Sequence, residues 1–531
     1  MDQPKIFRVE SQDLTFISIF NDVLGPVMRG QSSSHTAGSY YIGKLIQELL
    51  GGTPSEAVFT FAPDGSYARV FQAQGSDLAF AAGLLGWSIT DERFHKALEI
   101  AEDQNLLLRF LVSPFPEADH PNSIKIVLRS KEGKSWTAVA KSTGGGAVRI
   151  VRLNDWNVDL DGRNHTILVP CTESNVQDVQ ALLKTISPKI AIQKKAHQTL
   201  LSTTLKSRLD PALRSKIESL SSQKEVWLSS PFVFPKNGEP IFSSAEEIRR
   251  ITGEKNLSLG EIALQYEAAL LGLSEEDCLE EMKKRLRVMQ DSIKAGFQDQ
   301  NVNMQLLEPS AHQIDQAIKR KAVAIGGPHA EAAARAMAVM HTANSMGIVC
   351  AAPTGGSAGV LPGVITILIE EKDLDETQAV LALFAAGAIG LILAFRATFA
   401  AEIAGCQVEI GAAGAMGASA VVDAVGGRAD LALDAAAVSF QNTMGSVCDL
   451  VQGICEIPCH TRNAAAASSA FVCADIVLGG YQNPIPLDET VDAVFFSGKM
   501  LPAELRCTSL GGLAVVPSAL HLKNKRRKHD C

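Results

Sequence analysis

Two cysteine-bearing stretches carry the strongest chemical signal in the chain: GCQVE at 405–409 and CDLVQGICEIPC at 448–459. Thiolates are soft, anionic ligands, suited to iron–sulfur clusters and zinc. Cys448, Cys455 and Cys459 lie close in sequence, and Cys406 lies 42 residues upstream, where a helical bundle could bring it near them. If only three of these sulfurs bind a cubane cluster, one iron stays open as a Lewis acid for a substrate oxygen. Zinc is the rival metal: Cys448, Cys455, Cys459 and His460 could supply four ligands, although their spacing matches no standard zinc finger. The plainest alternative is that these cysteines are small buried apolar side chains on Ala-rich helices. Ten cysteines in 531 residues are too few for a disulfide scaffold, and eight of them follow residue 340. The N-terminus, MDQPKIFRVESQD, is polar and has no apolar signal core. A reduced, cytoplasmic location is expected, where clustered cysteines mean metal or catalysis more often than disulfides.

Weaker candidates surround these. APTGGSAGVLPG at 352–363 and STGGG at 142–146 offer backbone N–H groups that could nest a carboxylate or phosphate, but each could equally be a turn. Neither matches a Walker A or a dinucleotide fingerprint. QSSSHT at 31–36 gathers three hydroxyls and an imidazole, which is also how a helix start reads. HPNS at 120–123 is a loop with a histidine and an amide.

The elements that must position these groups suggest an α+β multidomain chain. Length alone argues for two to four folding units. Hydrophobic residues at 46% and charged residues at 20% give ample material for a core and exclude a disordered chain. A net charge of −9 gives no global field for nucleic acid, so no nucleic-acid partner is expected. EAVFTF, SIKIVLRS, SWTAVAKS and AVRIVRL read as strands, with TGGG breaking two of them, and Thr36 to Leu50 reads as a helix. Residues 164–193 give a strand, a helix and a strand, a small βαβ-like unit, and a polar helical connector is expected from about 194 to 226. SSPFVFPKNGEP at 229–240, with three prolines and a glycine, reads as a linker. From Ser243 on the signals are helical, with capping patterns at Ser243-x-x-Glu246 and Ser274-x-x-Asp277. Ala379 to Phe395 runs 17 residues without a charge. Alone, Ala/Gly-rich and ending at Arg396, it reads as a buried core helix rather than a membrane span.

Together these strings resemble the iron–sulfur-dependent L-serine dehydratases, with β and α portions fused. QSSSHTAGS resembles the family's GPSSSHT segment, GSYARVFQAQGSD its GSFAxTxxGHGTD segment, HPNSIKI its HPNT and TGGG its glycine loop. NSMGIVCAAPTGGSAGVLPGV resembles the APTAG region, GCQVEIGAAGAM the GCQxE region, CDLVQGICEIPCHTRNA the CDPxxGxVxxPCxxRNA region and LPAELRCTSLGGLA the closing segment. The resemblance covers nearly all of 14–519. It implies an N-terminal α/β domain of β type over 1–160 and a degenerate ACT-like βαβ unit with connector over 161–228. A large all-α catalytic domain carrying the cluster follows over 229–519, then a basic tail at 520–531. It implies a [4Fe–4S] cluster on Cys406, Cys448 and Cys459, no pyridoxal phosphate, a small-molecule substrate, no membrane and a homodimer. It places Ser33, Ser34 and His35 in catalysis. It assigns Thr36, Gln74, His120, Asn122, Gly144, Gly145, Gly146, Thr354, Gly355, Arg462 and Asn463 to framing substrate or cluster. Cys455 sits where the family has an aliphatic residue.

The implied reaction is β-elimination of L-serine to pyruvate and ammonia, with His35 the natural titrating base. Four positions depart from the pattern: Gln74 replaces a histidine and cannot titrate near neutral pH, Leu450 replaces a proline, Gly356 replaces an alanine, and Cys531 ends a longer basic tail than the family's cluster-reaching terminal cysteine. The first departure opens a second reading, the same cluster chemistry on another β-substituted amino or hydroxy acid. A third reading is a non-catalytic amino-acid sensor whose cysteines only pack.

Overall fold

The computed structural model describes residues 16–222, 225–298 and 302–524. Its contacts divide into two compact units, one of Ser34–Pro235 and one in which the residues up to Ser33 join Lys236 onward. The passage at Pro235–Lys236 lies inside the Pro-rich 229–240 stretch. Cys531, a candidate tail ligand by the family resemblance, lies outside the described residues.

The Ser34–Pro235 unit holds a six-stranded sheet in the order 107–112, 56–61, 123–129, 135–144, 147–153, 156–160. The first pair is parallel and the others are antiparallel. All four strands read from alternation are present. Phe59 and Phe61 of Glu56–Phe61 point inward and are fully buried. Helices Gly38–Leu50 and Ser76–Leu84 pack tightly. Gly43 and Gly83 permit that approach, since a Cβ on Gly83 would stand 2.4 Å from the Tyr40 carbonyl oxygen. The segment before the first helix is a single π-turn, Ser33–Ala37, so the α-helix begins at Gly38 rather than Thr36.

A second sheet, ordered 227–229, 165–172, 198–205, 191–195, is antiparallel throughout and encloses its own core of Ile167, Val169, Val179, Leu183, Leu201 and Ile217. This corrects the expected polar helical connector over 194–226. Gln198–Leu205 is instead an inner strand, paired on both sides, and only Pro211–Leu220 is helical. The run TLLSTTL is β-branched and alternating, and two flanking ladders outweigh its polarity. The two strands of the βαβ-like segment do not pair with each other; 198–205 lies between them.

The other unit is helical. Glu376–Arg396 is its centre, with Ala379 to Leu393 buried except for Leu381. It is long and apolar enough to cross a membrane, but 78% of its apolar window is buried in the protein, as expected of a core helix. Caps follow side-chain chemistry: Ser274 accepts from the Asp277 N–H, and Ser258 with Glu261 forms a reciprocal box. The first cap falls one residue later than expected, at Ser244, which accepts from Glu247 N–H. Ser243 instead donates to the Glu247 carboxylate.

Residues 16–33 are built into this unit. Ile19 and Val23 lie in notches where Gly387 and Gly390 lack side chains, since a Cβ there would fall 2.8 Å and 2.1 Å from them. Strand Val27–Arg29 pairs with Ile348–Cys350. Glu267, fully buried, accepts from Ser18 Oγ (2.5 Å), Ile19 N (2.7 Å) and Phe20 N (3.0 Å). Removing that acceptor strands two buried N–H groups, each costing about 1–3 kcal/mol. Glu267→Leu is expected to lower the melting temperature of the full chain by several degrees, and Glu267→Gln by less; calorimetry on both variants checks the order.

Candidate metal centre

Four backbone segments of the helical unit converge on one buried place. Cys406 opens a 3-10 turn, Cys406–Val408, ahead of helix Ile410–Ala424. Cys448 sits on the short strand Cys448–Asp449, paired in parallel with Arg506–Thr508. Cys459 is the first residue of helix Cys459–Leu478. Thr354 caps the turn Gly355–Ser357. The donor atoms of Cys406, Glu409 and Cys448 lie within 4.8 Å of one another. Cys459 stands outside that tight group, its Sγ 3.5 Å from Cys455 Sγ. All four of these cysteines are buried free thiols. Hydrogen bonding to Cys448 and then burial raise the Cys406 thiol well above its usual range. Hydrogen bonding to Cys459 and then burial do the same for Cys455. Such thiols stay protonated until a cation replaces the protons, which is how a soft metal centre is loaded.

Arg462 and Asn463 brace the place. Arg462 Nη1 lies 3.7 Å from Cys406 Sγ and donates to the Val447 carbonyl at 2.7 Å, while Nη2 pairs with Asp449 at 3.0 Å. Asn463 donates to the carbonyls of Gly356 and Cys459 and accepts from the Gly359 N–H. Both side chains hold backbone and charge around the thiols. Gly355 is needed because a Cβ would stand 3.0 Å from Ser33 N. Gly356 is needed for a similar reason: a Cβ would lie 2.7 Å from Glu409 Oε1 and 3.4 Å from Cys455 Sγ. His460 does not join the tight donor group: its Nε2 meets Asn344 Nδ2 at 2.9 Å and its ring faces His341.

Glu409 and Cys507 escaped the reading of single residues. Glu409 is pushed up to about 7 by burial, against the Thr354 hydroxyl at 2.5 Å. A carboxyl titrating near neutrality beside the thiols can hold or release a proton. Its signal was present in GCQVE, three residues after Cys406. Glu456 was also missed; it accepts from the N–H groups of Gln305, Leu306 and Leu307 and so anchors the loop between Cys455 and Cys459.

Ser33 belongs to the helical unit, beside Gly355, and the remaining candidate residues lie within Ser34–Pro235. His35 Nε2 meets Ser66 Oγ at 2.9 Å, and its carbonyl accepts from Ser39 and Ser76. The Tyr67 hydroxyl donates to the Ser34 carbonyl, and Thr36 Oγ1 donates to the carbonyl of buried Gln74. His120 Nδ1 accepts from the Asn122 N–H, which puts the proton of its neutral form on Nε2. Asn122 turns its side chain to His35, and Ser142 Oγ is buried without a hydrogen-bond partner among the described residues, an arrangement that suits a polar ligand. Gly144 to Gly146 all have positive φ, and Gly145 and Gly146 are the central residues of the hairpin between strands 135–144 and 147–153. Their glycines answer a turn.

Burial pushes His35 down to about 4, partly opposed by its hydrogen bond to Asn122. An unfolded histidine takes its proton near pH 6.5, so between those values the unfolded chain holds more protons. Stability from this residue is complete above about pH 6.5 and is lost as pH falls toward 4, by up to about 3 kcal/mol. His35→Gln is expected to flatten that part of the melting-temperature profile; parallel profiles for the two proteins would contradict it.

Comparison with known proteins fits this geometry. The family model for the serine dehydratase alpha chain matches residues 254–514. The probable L-serine dehydratase alpha chain of Bacillus subtilis is 35% identical over 286 residues, 54% of this chain and 95% of that one. The L-serine dehydratase alpha chain of Peptoniphilus asaccharolyticus is 31% identical over 52% of this chain and 94% of its own length. The beta chain from the same organism is 29% identical over 40% of this chain and 96% of its own. Matching both partners of a two-chain enzyme along one polypeptide, the protein belongs to the L-serine dehydratase family of carbon–nitrogen lyases, in fused form.

Proposed function

We propose that this chain converts L-serine to pyruvate and ammonia by β-elimination, using an iron–sulfur centre held by Cys406, Cys448 and Cys459. The observation that carries the reading is the convergence of buried thiols on Glu409, from segments far apart in sequence, in a member of this family. The donor chemistry fits: soft sulfurs, buried, with one guanidinium beside them to offset anionic charge. When bound, a [4Fe–4S] cluster with one iron free of protein thiolate supplies a Lewis acid for the substrate hydroxyl.

The chain's own residues supply the rest. Arg462, bonded to Val447 and Asp449, fixes the segment that presents Cys448, and Asn463 ties the start of the Cys459 helix to Gly356. Thr354 orients the Glu409 carboxyl, which holds a proton near neutral pH and can pass it to a departing hydroxyl. Ser142 Oγ is an acceptor suited to a substrate ammonium, and Asn122 is the side-chain partner of His35. His35, neutral above about pH 4, is the proposed acceptor of the Cα proton, with Ser66 fixing its ring. The enamine product tautomerises and hydrolyses without further help from the protein. Residues 161–228 are read as a degenerate ACT-like module on the support of their small antiparallel sheet and two helices.

Anaerobic reconstitution with iron and sulfide, followed by assay on L-serine and a panel of β-hydroxy and β-thiol acids, tests the proposal. Turnover of L-serine to pyruvate is expected. Turnover confined to another acid would move the substrate assignment and implicate Gln74, and a colourless protein without iron or sulfide would end the reading. Cys406→Ser, Cys448→Ser and Cys459→Ser are each expected to lose most of the bound iron and sulfide along with activity. Cys455→Ser is expected to keep them; metal analysis of the four proteins checks this.

A further inference from the structure

We propose that Cys455 and Cys459 form a reversible disulfide in the metal-free protein, and that this bond keeps Cys459 recoverable as a cluster ligand under oxidising conditions. The protective role rests on the proposed iron–sulfur centre; the bond itself does not. The two sulfurs lie 3.5 Å apart, with the Cys455 thiol donating to Cys459. Both are buried free thiols. A disulfide needs its sulfurs at about 2.0 Å. Side-chain rotation is asked to supply the remaining approach, and Gly356 leaves room for it: a Cβ there would stand 3.4 Å from the Cys455 sulfur.

The backbone around the pair is fixed by contacts that involve neither sulfur nor metal. Asn344 Nδ2 donates to the Cys455 carbonyl at 3.1 Å, and Asn463 Nδ2 donates to the Cys459 carbonyl at 2.9 Å. Between them, Glu456 accepts from the successive N–H groups of Gln305, Leu306 and Leu307 at 2.6, 2.9 and 2.8 Å. Holding two reacting groups in this way makes their encounter effectively unimolecular. Cys406 and Cys448 also lie near one another, with donor atoms within 4.8 Å, but they come from segments 42 residues apart, and Arg462 Nη1 stands 3.7 Å from the Cys406 sulfur.

The oxidant is a peroxide, which is small and uncharged and so enters a buried place without carrying a charge out of water. The Cys459 sulfur bonds to one oxygen of hydrogen peroxide, the O–O bond breaks, and the other oxygen leaves as water with the thiol proton. The sulfur has then lost two electrons and is a sulfenic acid. The Cys455 sulfur attacks it, the S–O bond breaks, and the hydroxyl leaves as a second water with the Cys455 proton. Two thiols and one peroxide thus give one disulfide and two waters. A dithiol reductant returns both thiols by exchange and is itself oxidised. Without a neighbouring thiol, a sulfenic acid passes on to sulfinic acid, which such reductants do not recover. An aliphatic residue at 455 would leave Cys459 on that course.

The test uses the full chain, stripped of iron by a chelator without oxygen, as wild type, Cys455→Ser and Cys455→Ala, with circular dichroism to confirm folding. Each protein is treated with hydrogen peroxide. One portion is alkylated and mapped by peptide mass spectrometry; another receives dithiothreitol and is then reconstituted with iron and sulfide. Wild type is expected to show a 455–459 link and to regain the iron uptake of untreated protein. Both variants are expected to carry sulfinic acid at Cys459 and, after the same treatment, to take up about threefold less iron than before peroxide. A wild-type map with Cys455 and Cys459 unlinked, or with Cys406 joined to Cys448 in their place, would overturn the bond. Equal recovery of iron uptake in wild type and variants would overturn its protective role. Untreated wild type that forms the link but binds no iron or sulfide would refute the cluster, and the protective role with it, while the bond itself would stand.

Discussion

Buried thiols packed around a half-buried carboxylate cannot all ionise without a cation among them. That electrostatic constraint organises the helical unit. Cys406, Cys448 and Glu409 come within 4.8 Å, and the guanidinium of Arg462 reaches the edge of the group but is also committed to Asp449 and a carbonyl. As metal-free thiols the sulfurs remain neutral, paired with one another. Loading a cluster exchanges their protons for iron, which couples occupancy of the site to the integrity of the loops around it.

Those loops are defined mostly by what they lack. Gly355 and Gly356 have no room for a methyl group against Ser33 or Glu409, so the turn before helix Val360–Glu371 can press onto both. Asn463 then ties the same turn to the start of the Cys459 helix. Family alanine at position 356 and an aliphatic residue at 455 are glycine and cysteine here, and a Cβ at 356 would lie 3.4 Å from Cys455 Sγ.

Much of this was legible in the sequence, and the physics says why. Strands such as Glu56–Phe61 alternate cleanly because one face is buried, and the cysteine motifs are specific because few chemistries need thiols at those spacings. Gln198–Leu205 was not legible as a strand, because its pairing comes from partners on both sides rather than from its own polarity. Cys507 was invisible for another reason. Nothing in LPAELRCTSL marks a bulge, and its proximity to Cys448 arises only when two short strands 58 residues apart pair in parallel. Glu409 stood in a recognised motif, but its raised protonation range depends on burial that spacing cannot reveal.

Ser18 and Glu267 are bonded across 249 positions of chain. Closing so long a loop costs an unstructured polymer ~5 kcal/mol beyond a constant term. During synthesis, the segment around Ile19 leaves the ribosome long before the helices that will receive it, and Ser34–Pro235 must emerge in between. Prior compaction of that intervening stretch would shorten the effective tether and favour late docking of the N-terminal segment. In a two-polypeptide arrangement cut at Pro235, the same plug would arrive from a different molecule, making completion of the helical core dependent on protein concentration. Fusion removes that dependence.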